Sequence, residues 1–212
     1  MRLDKNIALR VGVHIAALLP FVFLVLDLLT NNLTANPFQA AEQRTGRVAL
    51  AMLMLSLACT PVNTLFLAPS VLPLSKTLGR YAFLYASLHL LTYFLDYGLD
   101  WNLVFSSFLE KRFIFVGLLA FLILLAMAIT SFQYWMKKLG PNWKRLHSLV
   151  YAAGVLVILH EAWALKGDIF LLRGNIVQPL LYGTALLVML VLRLPPLRRR
   201  MTGFFAPSRS RR

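Results

Sequence analysis

Six apolar stretches of about twenty residues recur along this chain, separated by short polar segments. A helix of about twenty apolar residues covers the roughly 30 Å of hydrocarbon in a bilayer. We place the spans at about 10–29, 47–68, 77–96, 113–132, 147–165 and 175–193. The sequence therefore predicts an all-α polytopic membrane bundle of six transmembrane helices. The bundle domain covers 1–193, and a basic cytoplasmic tail covers 194–212.

The balance of residue types agrees with a membrane protein. Charged residues make up only 14% of the chain, and the mean hydropathy is +0.70, whereas a typical soluble domain is roughly 25% charged. The net charge of +14 could indicate nucleic-acid binding, but such a protein needs a basic face on a soluble fold. Here the basic residues lie between apolar stretches, which is typical of topology signals and lipid contacts.

The distribution of Lys and Arg predicts the orientation. One side of the predicted bundle carries 16 of these residues and the other carries 6. Positive charge accumulates on the cytoplasmic side, so we expect both termini in the cytoplasm of a bacterium, with the protein in the inner membrane. The apolar run Val11–Leu29 is longer than the roughly 7–15 residues of a signal-peptide core, so we expect a retained helix.

Three local features carry smaller predictions. Cys59 lies alone within an apolar stretch, which favours ordinary packing. Pro61 should kink the second span and leave a carbonyl for a neighbouring helix to satisfy. The segment 97–112 has the pattern of an amphipathic helix in the membrane interface, which is either an aromatic anchor or a surface for a partner. No repeat of 20–50 residues and no convincing inverted symmetry is visible.

All four histidines, at positions 14, 89, 147 and 160, lie within or at the edge of apolar spans. Ionisable groups inside a membrane are costly and are functional by default, although any one histidine alone could be structural. His89 and His160 both lie about 10 Å from the outer end of their spans at the rise of a helix. The matched depth predicts that they are the two axial ligands of one b-type haem.

His147 lies 13 residues before His160, which is about 20 Å of helix. It cannot share that iron but could bind a second haem, with His14 as a candidate partner, so the sequence allows one or two haems. On an ideal helix His147 and His160 point roughly 140° apart, so the second haem needs another neighbour or a distorted helix. The other ring nitrogen of each ligand should donate to a carbonyl or hydroxyl, and Tyr93 and Tyr151 are candidate acceptors.

Several short motifs together resemble a known family. They are Thr45-Gly46-Arg47, Thr60-Pro61, Leu88-His89, Leu139-Gly140, Leu146-His147 and the later His160 and Trp163. The combination resembles the MsrQ (YedZ) family of haem-binding membrane subunits, within the ferric-reductase-like transmembrane superfamily. The resemblance implies iron ligation by His89, His147 and His160. The superfamily often has a second ligand roughly three to four turns earlier on its third helix, where this chain has Ser75 and Lys76.

The resemblance also implies a function. Such a subunit passes electrons from the quinone pool, through haem b and flavin mononucleotide (FMN), to a periplasmic molybdopterin-containing methionine sulfoxide reductase subunit in a heterodimer. That partner repairs oxidised periplasmic proteins. The chain has no G-x-G-x-x-G nucleotide motif, which agrees with an electron-transfer subunit without catalytic residues of its own. The alternatives are a ferric-reductase-like or cytochrome b561-like carrier with another acceptor, and a non-redox membrane carrier or assembly protein.

Overall fold

The computed structural model describes residues 5–165 and 177–194, and over these residues the fold is helical with no strand. The α-helices are α1 (Lys5–Leu29), α2 (Pro37–Phe66), α3 (Leu74–Asp96), α4 (Trp101–Glu110), α5 (Arg112–Ile129), α6 (Gln133–Leu139), α7 (Pro141–Ser148), α8 (Val150–Ala164) and α9 (Val177–Val191). A single 3₁₀ turn, Pro69–Val71, precedes α3. The predicted tail lies outside the described residues, apart from Leu194.

Four helical segments in the described ranges are long and apolar enough to cross a membrane. They are Asn6–Leu29, Pro37–Phe66, Arg112–Ile129 and the joined helices Pro141–Ala164. The other two predicted spans correspond to α3, which has 23 residues, and to α9, which is an apolar helix of 15 residues. The all-helical fold with several membrane-crossing helices is therefore confirmed, whereas the count of six spans stays a prediction.

The turn between the fourth and fifth predicted spans falls where the sequence places it. Gly140 has a φ of +50°, a conformation that costs little without a side chain, and Pro141 opens α7 at a position suited to its missing N–H. The fifth predicted span, 147–165, consists of α7 and α8, separated at Leu149. The interruption lies between His147 and His160, so the ideal-helix angle between them does not apply.

Pro20 in α1 is accompanied by a side chain from another helix. The hydroxyl of Tyr85, on α3, donates to the carbonyl of Ala17 at 2.6 Å and accepts from the N–H of Phe21 at 3.1 Å. An unbroken helix joins these two backbone groups directly. Tyr85 is only 1% exposed, so this hydroxyl ties α1 to the core beside its proline.

Near Pro61 in α2, a side chain from elsewhere in the chain likewise hydrogen-bonds the helix backbone. Because proline has no N–H, the carbonyl of Leu57, four residues earlier, loses its helical donor. Arg193, just beyond α9, donates from Nη2 to this carbonyl at 2.6 Å. Its Nη1 donates to the hydroxyl of Tyr151 on α8, and its guanidinium lies 5.1 Å from the centre of that ring. A neighbouring helix thus satisfies the freed carbonyl, as predicted, and links α2, α8 and α9.

Polar contacts join the helix ends on the side of the bundle opposite to Arg193. In the predicted orientation this is the outer side. The side chain of Asn36 caps α2 by accepting from the N–H of Gln39, and it also donates to Asp96 at 2.7 Å. Asp27 near the end of α1 forms an ion pair with Arg44 on α2. These contacts hold the ends of α1, α2 and α3 together.

Helix α4 follows the predicted amphipathic pattern within 97–112. Trp101, Phe105 and Leu109 are each more than 60% exposed, whereas Ser107 is buried. Ser107 hydrogen-bonds Tyr97, and the Tyr97 hydroxyl also accepts from the Lys111 amine at 2.9 Å. That hydrogen bond raises the pKa of Lys111, so the amine stays protonated beside the exposed aromatic face.

The core joins α1, α2, α3, α5, α8 and α9. Its most buried members include Leu53 on α2, Ala82 on α3 and Ala153 on α8. Small residues at such contacts let membrane helices approach closely. Cys59 is 6% exposed within this core and donates to the carbonyl of Leu55, so the packing role predicted for it is confirmed.

Candidate histidine site

The core packing brings the side chains of His89 on α3 and His160 on α8 next to each other. Their ring centroids lie 6.0 Å apart, and the ring planes cross at 84°. The two residues are 71 positions apart in the chain, yet the structure places them at one level, as their matched depths predict. Neither ring is fully exposed. This pair is the centre of the candidate site.

Each of these rings is bound through Nδ1 to a backbone carbonyl of a neighbouring helix. Nδ1 of His89 lies 2.9 Å from the carbonyl of Glu42 on α2. Nδ1 of His160 lies 2.7 Å from the carbonyl of Phe113 on α5. A carbonyl oxygen only accepts, so Nδ1 carries the hydrogen in both rings. The lone pair then lies on Nε2 of each ring, which is the state that binds a metal.

A glycine lies beneath each ring. A Cβ placed on Gly46 of α2 would come within 3.0 Å of Nδ1 of His89. A Cβ placed on Gly117 of α5 would come within 2.5 Å of Nδ1 of His160. Ordinary carbon contacts are roughly 3.5–4.0 Å, so any larger residue at either position would press on the imidazole. Both rings thus lie in a gap that only glycine leaves open.

The donor set fits one metal ion with two imidazole ligands. Imidazole nitrogen binds metals at about 2 Å, so two rings on opposite sides of one ion have centroids roughly 6 Å apart. The observed 6.0 Å agrees with this spacing. Over the described residues no group of three or more His, Cys, Asp and Glu side chains could hold a bare metal ion. Two histidines alone do suffice as the axial ligands of a haem iron, since the porphyrin supplies the remaining nitrogens.

Two buried polar atoms without a partner lie close to the pair in sequence. Among the described residues, the hydroxyl of Tyr93, one turn after His89, and Oε2 of Glu161, next to His160, have no hydrogen-bond partner. The other oxygen of Glu161 accepts from Gln178 at 2.9 Å. Buried polar groups are nearly always paired, so these two atoms are available to a bound group. Tyr93 is therefore not the acceptor for His89, and Tyr151 instead accepts from Arg193.

The other two histidines have different surroundings. Nδ1 of His14 lies 2.8 Å from the hydroxyl of Tyr81, and the His14 side chain is exposed. Nε2 of His147 lies 3.2 Å from the hydroxyl of Thr130, while its ring stacks on Trp143 at 4.1 Å. These contacts do not bring His14 to His147. The structure thus brings His89 and His160 together, whereas His14 and His147 each contact other residues.

Comparison with known proteins identifies the family. The model of the ferric reductase like transmembrane component matches residues 45–158, more than half of the chain. A relative from Xanthomonas euvesicatoria pv. vesicatoria (strain 85-10) is 40% identical over 191 residues, which are 87% of this chain and 84% of the relative. A relative from Cronobacter sakazakii (strain ATCC BAA-894) is 35% identical over 193 residues, 90% of this chain and 93% of the relative. Both are named protein-methionine-sulfoxide reductase heme-binding subunit MsrQ.

The chain belongs to the MsrQ family. The resemblance seen in the sequence motifs is therefore confirmed over most of the chain. No solved structure matches it significantly.

The structure also shows a repeat that the sequence alone did not reveal. Glu42, Gly46 and His89 have counterparts 71 residues later in Phe113, Gly117 and His160, and both histidine-to-carbonyl pairs span 47 residues. The buried pairs Leu53 and Leu124, and Ala82 and Ala153, have the same offset. This offset of 71 residues is longer than the roughly 20–50 residues of common repeat units. The signal was available as two glycines, each 43 residues before a histidine.

Proposed function

We propose that this chain is a membrane b-type cytochrome, the electron-transfer subunit of a methionine sulfoxide reductase system. The carrying observation is the pair His89 and His160, whose ring centroids lie 6.0 Å apart and whose Nδ1 atoms are bound to carbonyls. Two neutral imidazoles at this spacing, each with its lone pair on Nε2, can form an axial ligand set for one haem. Membership of a family whose relatives are named heme-binding subunits supports the same assignment.

The residues of the chain have separate roles in this proposal. The carbonyls of Glu42 and Phe113 fix the tautomer of the two ligands. The packed core around Leu53, Ala82 and Ala153 excludes water from the helices that carry them. When bound, haem b supplies a one-electron carrier, and two histidine ligands leave no open iron position for a substrate. The substrate chemistry therefore belongs to a partner protein.

The route of the electrons forms the finer part of the proposal. We expect electrons to come from the quinone pool and to pass, with FMN as a further cofactor, to a periplasmic molybdopterin-containing subunit that reduces methionine sulfoxide. We expect six spans within 1–193 in the inner membrane. For these spans, the excess of Lys and Arg on one side, 16 against 6, supports an orientation with both termini in the cytoplasm. In that orientation His89 and His160 lie on the periplasmic half, close to the acceptor.

A second haem at His147 is the less supported part. The Thr130 hydroxyl donates its one hydrogen to the carbonyl of Ala126 at 2.7 Å, so Nε2 of His147 is the donor in their contact, and the His147 ring stacks on Trp143. To bind iron through Nε2, His147 must give up its contact with Thr130. We propose one firmly held haem at the outer pair and a weaker, second one at His147, with His14 retained as the candidate partner.

A purified sample tests the haem assignment and the acceptor separately. The protein, produced with haem available, should show the absorption bands of low-spin b-type haem, with one to two haems per chain by pigment assay. The dithionite-reduced protein should then be reoxidised by the periplasmic reductase and a methionine sulfoxide substrate. A colourless protein would exclude the cytochrome. A coloured protein that this reductase does not reoxidise would favour the ferric-reductase-like or cytochrome b561-like carrier with another acceptor.

A further inference from the structure

The planes of the two outer imidazoles cross at 84°, and the surroundings of each ring explain why that angle is held. On one side Nδ1 is bound to a carbonyl, at 2.9 Å for His89 and 2.7 Å for His160. The bond directs one edge of the ring toward a fixed point on the neighbouring helix. A single hydrogen bond still allows the ring to swing about the line that joins donor and acceptor.

The glycines remove that remaining freedom. Gly46 lies four residues after Glu42, and Gly117 lies four residues after Phe113. Residues four apart lie on the same face of a helix, one turn on. Each imidazole therefore rests on the bare backbone of the same turn whose carbonyl it binds. The contact fixes both the direction and the tilt of the ring.

We propose that Gly46 and Gly117 are positioning residues that keep the two axial ligand planes crossed. The inference rests on the proposed haem between His89 and His160. The two units are related by the 71-residue offset, and in each unit the carbonyl and the glycine that hold the ring lie on the helix packed against its own histidine. The crossing angle is therefore a product of the backbone rather than of the cofactor.

Crossed ligand planes have a spectroscopic consequence. The planes of axial imidazoles set the energies of the iron orbitals that interact with them. When the planes are perpendicular, two of these orbitals become nearly equal in energy, and the oxidised low-spin iron gives an EPR spectrum dominated by one strongly shifted low-field line. When the planes are parallel, the orbitals separate and the spectrum shows three resolved lines. The wild-type protein should give the first spectrum.

Substitution to alanine at each glycine should reduce the crossing angle by different amounts. In Gly117→Ala the new Cβ would approach Nδ1 to 2.5 Å and Cε1 to 2.7 Å, so His160 must turn and weaken its bond to Phe113. In Gly46→Ala the closest approach is 3.0 Å, so a small displacement of His89 relieves it. We expect loss of the low-field line in the first variant and a smaller shift of that line in the second.

Gly183→Ala is the matched control. It introduces the same methyl group into another helix, where the nearest atom, on Ile158, lies at an ordinary 3.8 Å. Gly12→Ala is a second control, since its Cβ meets nothing within 4 Å. Both should keep the wild-type EPR line. The haem content of every variant is measured in parallel.

The outcomes separate this inference from the function on which it rests. A haem-containing wild-type protein with three resolved EPR lines would overturn the inference and leave the proposed function intact. Unchanged spectra in both Gly46→Ala and Gly117→Ala would also overturn it. If Gly117→Ala binds no haem, the milder Gly46→Ala decides, because a shifted low-field line at full haem content supports the inference and an unshifted one contradicts it. A colourless wild-type protein would exclude both proposals.

Discussion

The outer and inner histidines of this chain differ in the kind of group that each ring binds. His89 and His160 bind backbone carbonyls, which only accept hydrogen bonds. His14 binds the hydroxyl of Tyr81, which can donate or accept. His147 binds the hydroxyl of Thr130, which donates to the carbonyl of Ala126 and therefore accepts from Nε2. A carbonyl at Nδ1 fixes the tautomer and leaves Nε2 free for iron. The contact with Thr130 instead places the hydrogen of His147 on Nε2, and the contact with Tyr81 leaves the tautomer of His14 open. Location in an apolar span therefore does not by itself prepare a histidine as a ligand.

Removal of single histidines should give the largest effect. In His89→Ala or His160→Ala the iron loses one axial ligand, so we expect nearly complete loss of the low-spin absorption bands of the outer haem. His147→Ala should retain those bands while the pigment assay falls toward one haem per chain. His14→Ala should also retain the bands of the outer haem, and if His14 is the partner of His147 it lowers the haem content as His147→Ala does. Low-spin bands that survive in His160→Ala but vanish in His147→Ala would show that the inner histidine, and not the outer one, is the haem ligand.

The same comparison shows what the sequence could and could not predict. The depth of His89 and His160 follows from helical rise alone, so their meeting was predictable. The acceptors on Glu42 and Phe113 were not predictable, because a backbone carbonyl has no sequence signature and Tyr93, one turn after His89, was a more visible candidate. Gly46 was noticed only as part of a family motif. Its role depends on the packing of α2 against α3, which the periodicity of one helix does not contain.

The helix boundaries show a similar division. Gly140-Pro141 predicted a turn that the structure contains at that point. Pro61 predicted a freed carbonyl, yet the donor, Arg193, lies 136 residues away from Leu57. Arg193 was counted in the sequence only as a topology charge at the end of the last span. Local chemistry therefore predicted where a partner was needed, and tertiary packing decided which residue supplied it.

Tyr85→Phe tests whether a hydroxyl bound to a carbonyl stabilises the fold more than one bound to a histidine. The substitution leaves the carbonyl of Ala17 and the N–H of Phe21 without the buried hydroxyl beside Pro20. Hydrogen bonds in membrane proteins contribute about 0.6 kcal/mol on average and up to about 1.7 each, so we expect a loss of about 1–2 kcal/mol. The measurement is the free energy of unfolding of the holoprotein in mixed detergent micelles.

Tyr81→Phe is the matched control, because it removes an equivalent hydroxyl from the same helix, bonded to the exposed His14. We expect a loss below about 0.6 kcal/mol there, since exposed partners are easily replaced by water. If the free energy of unfolding falls equally in the two variants, the hydroxyl bound to a carbonyl stabilises the fold no more than the hydroxyl bound to His14.

Arg193 offers the finest test at the inner end, because its contact with the carbonyl of Leu57 depends on Pro61. Pro61→Ala restores an N–H that can bond Leu57 within α2. Arg193→Gln should then destabilise the wild-type protein by about 1 kcal/mol more than it destabilises the Pro61→Ala protein. The bond and ring contact with Tyr151 are lost in both backgrounds, so the difference isolates the carbonyl. Tyr151→Phe should be additive with Pro61→Ala, and additivity for Arg193→Gln as well would mean that the arginine does not serve the proline.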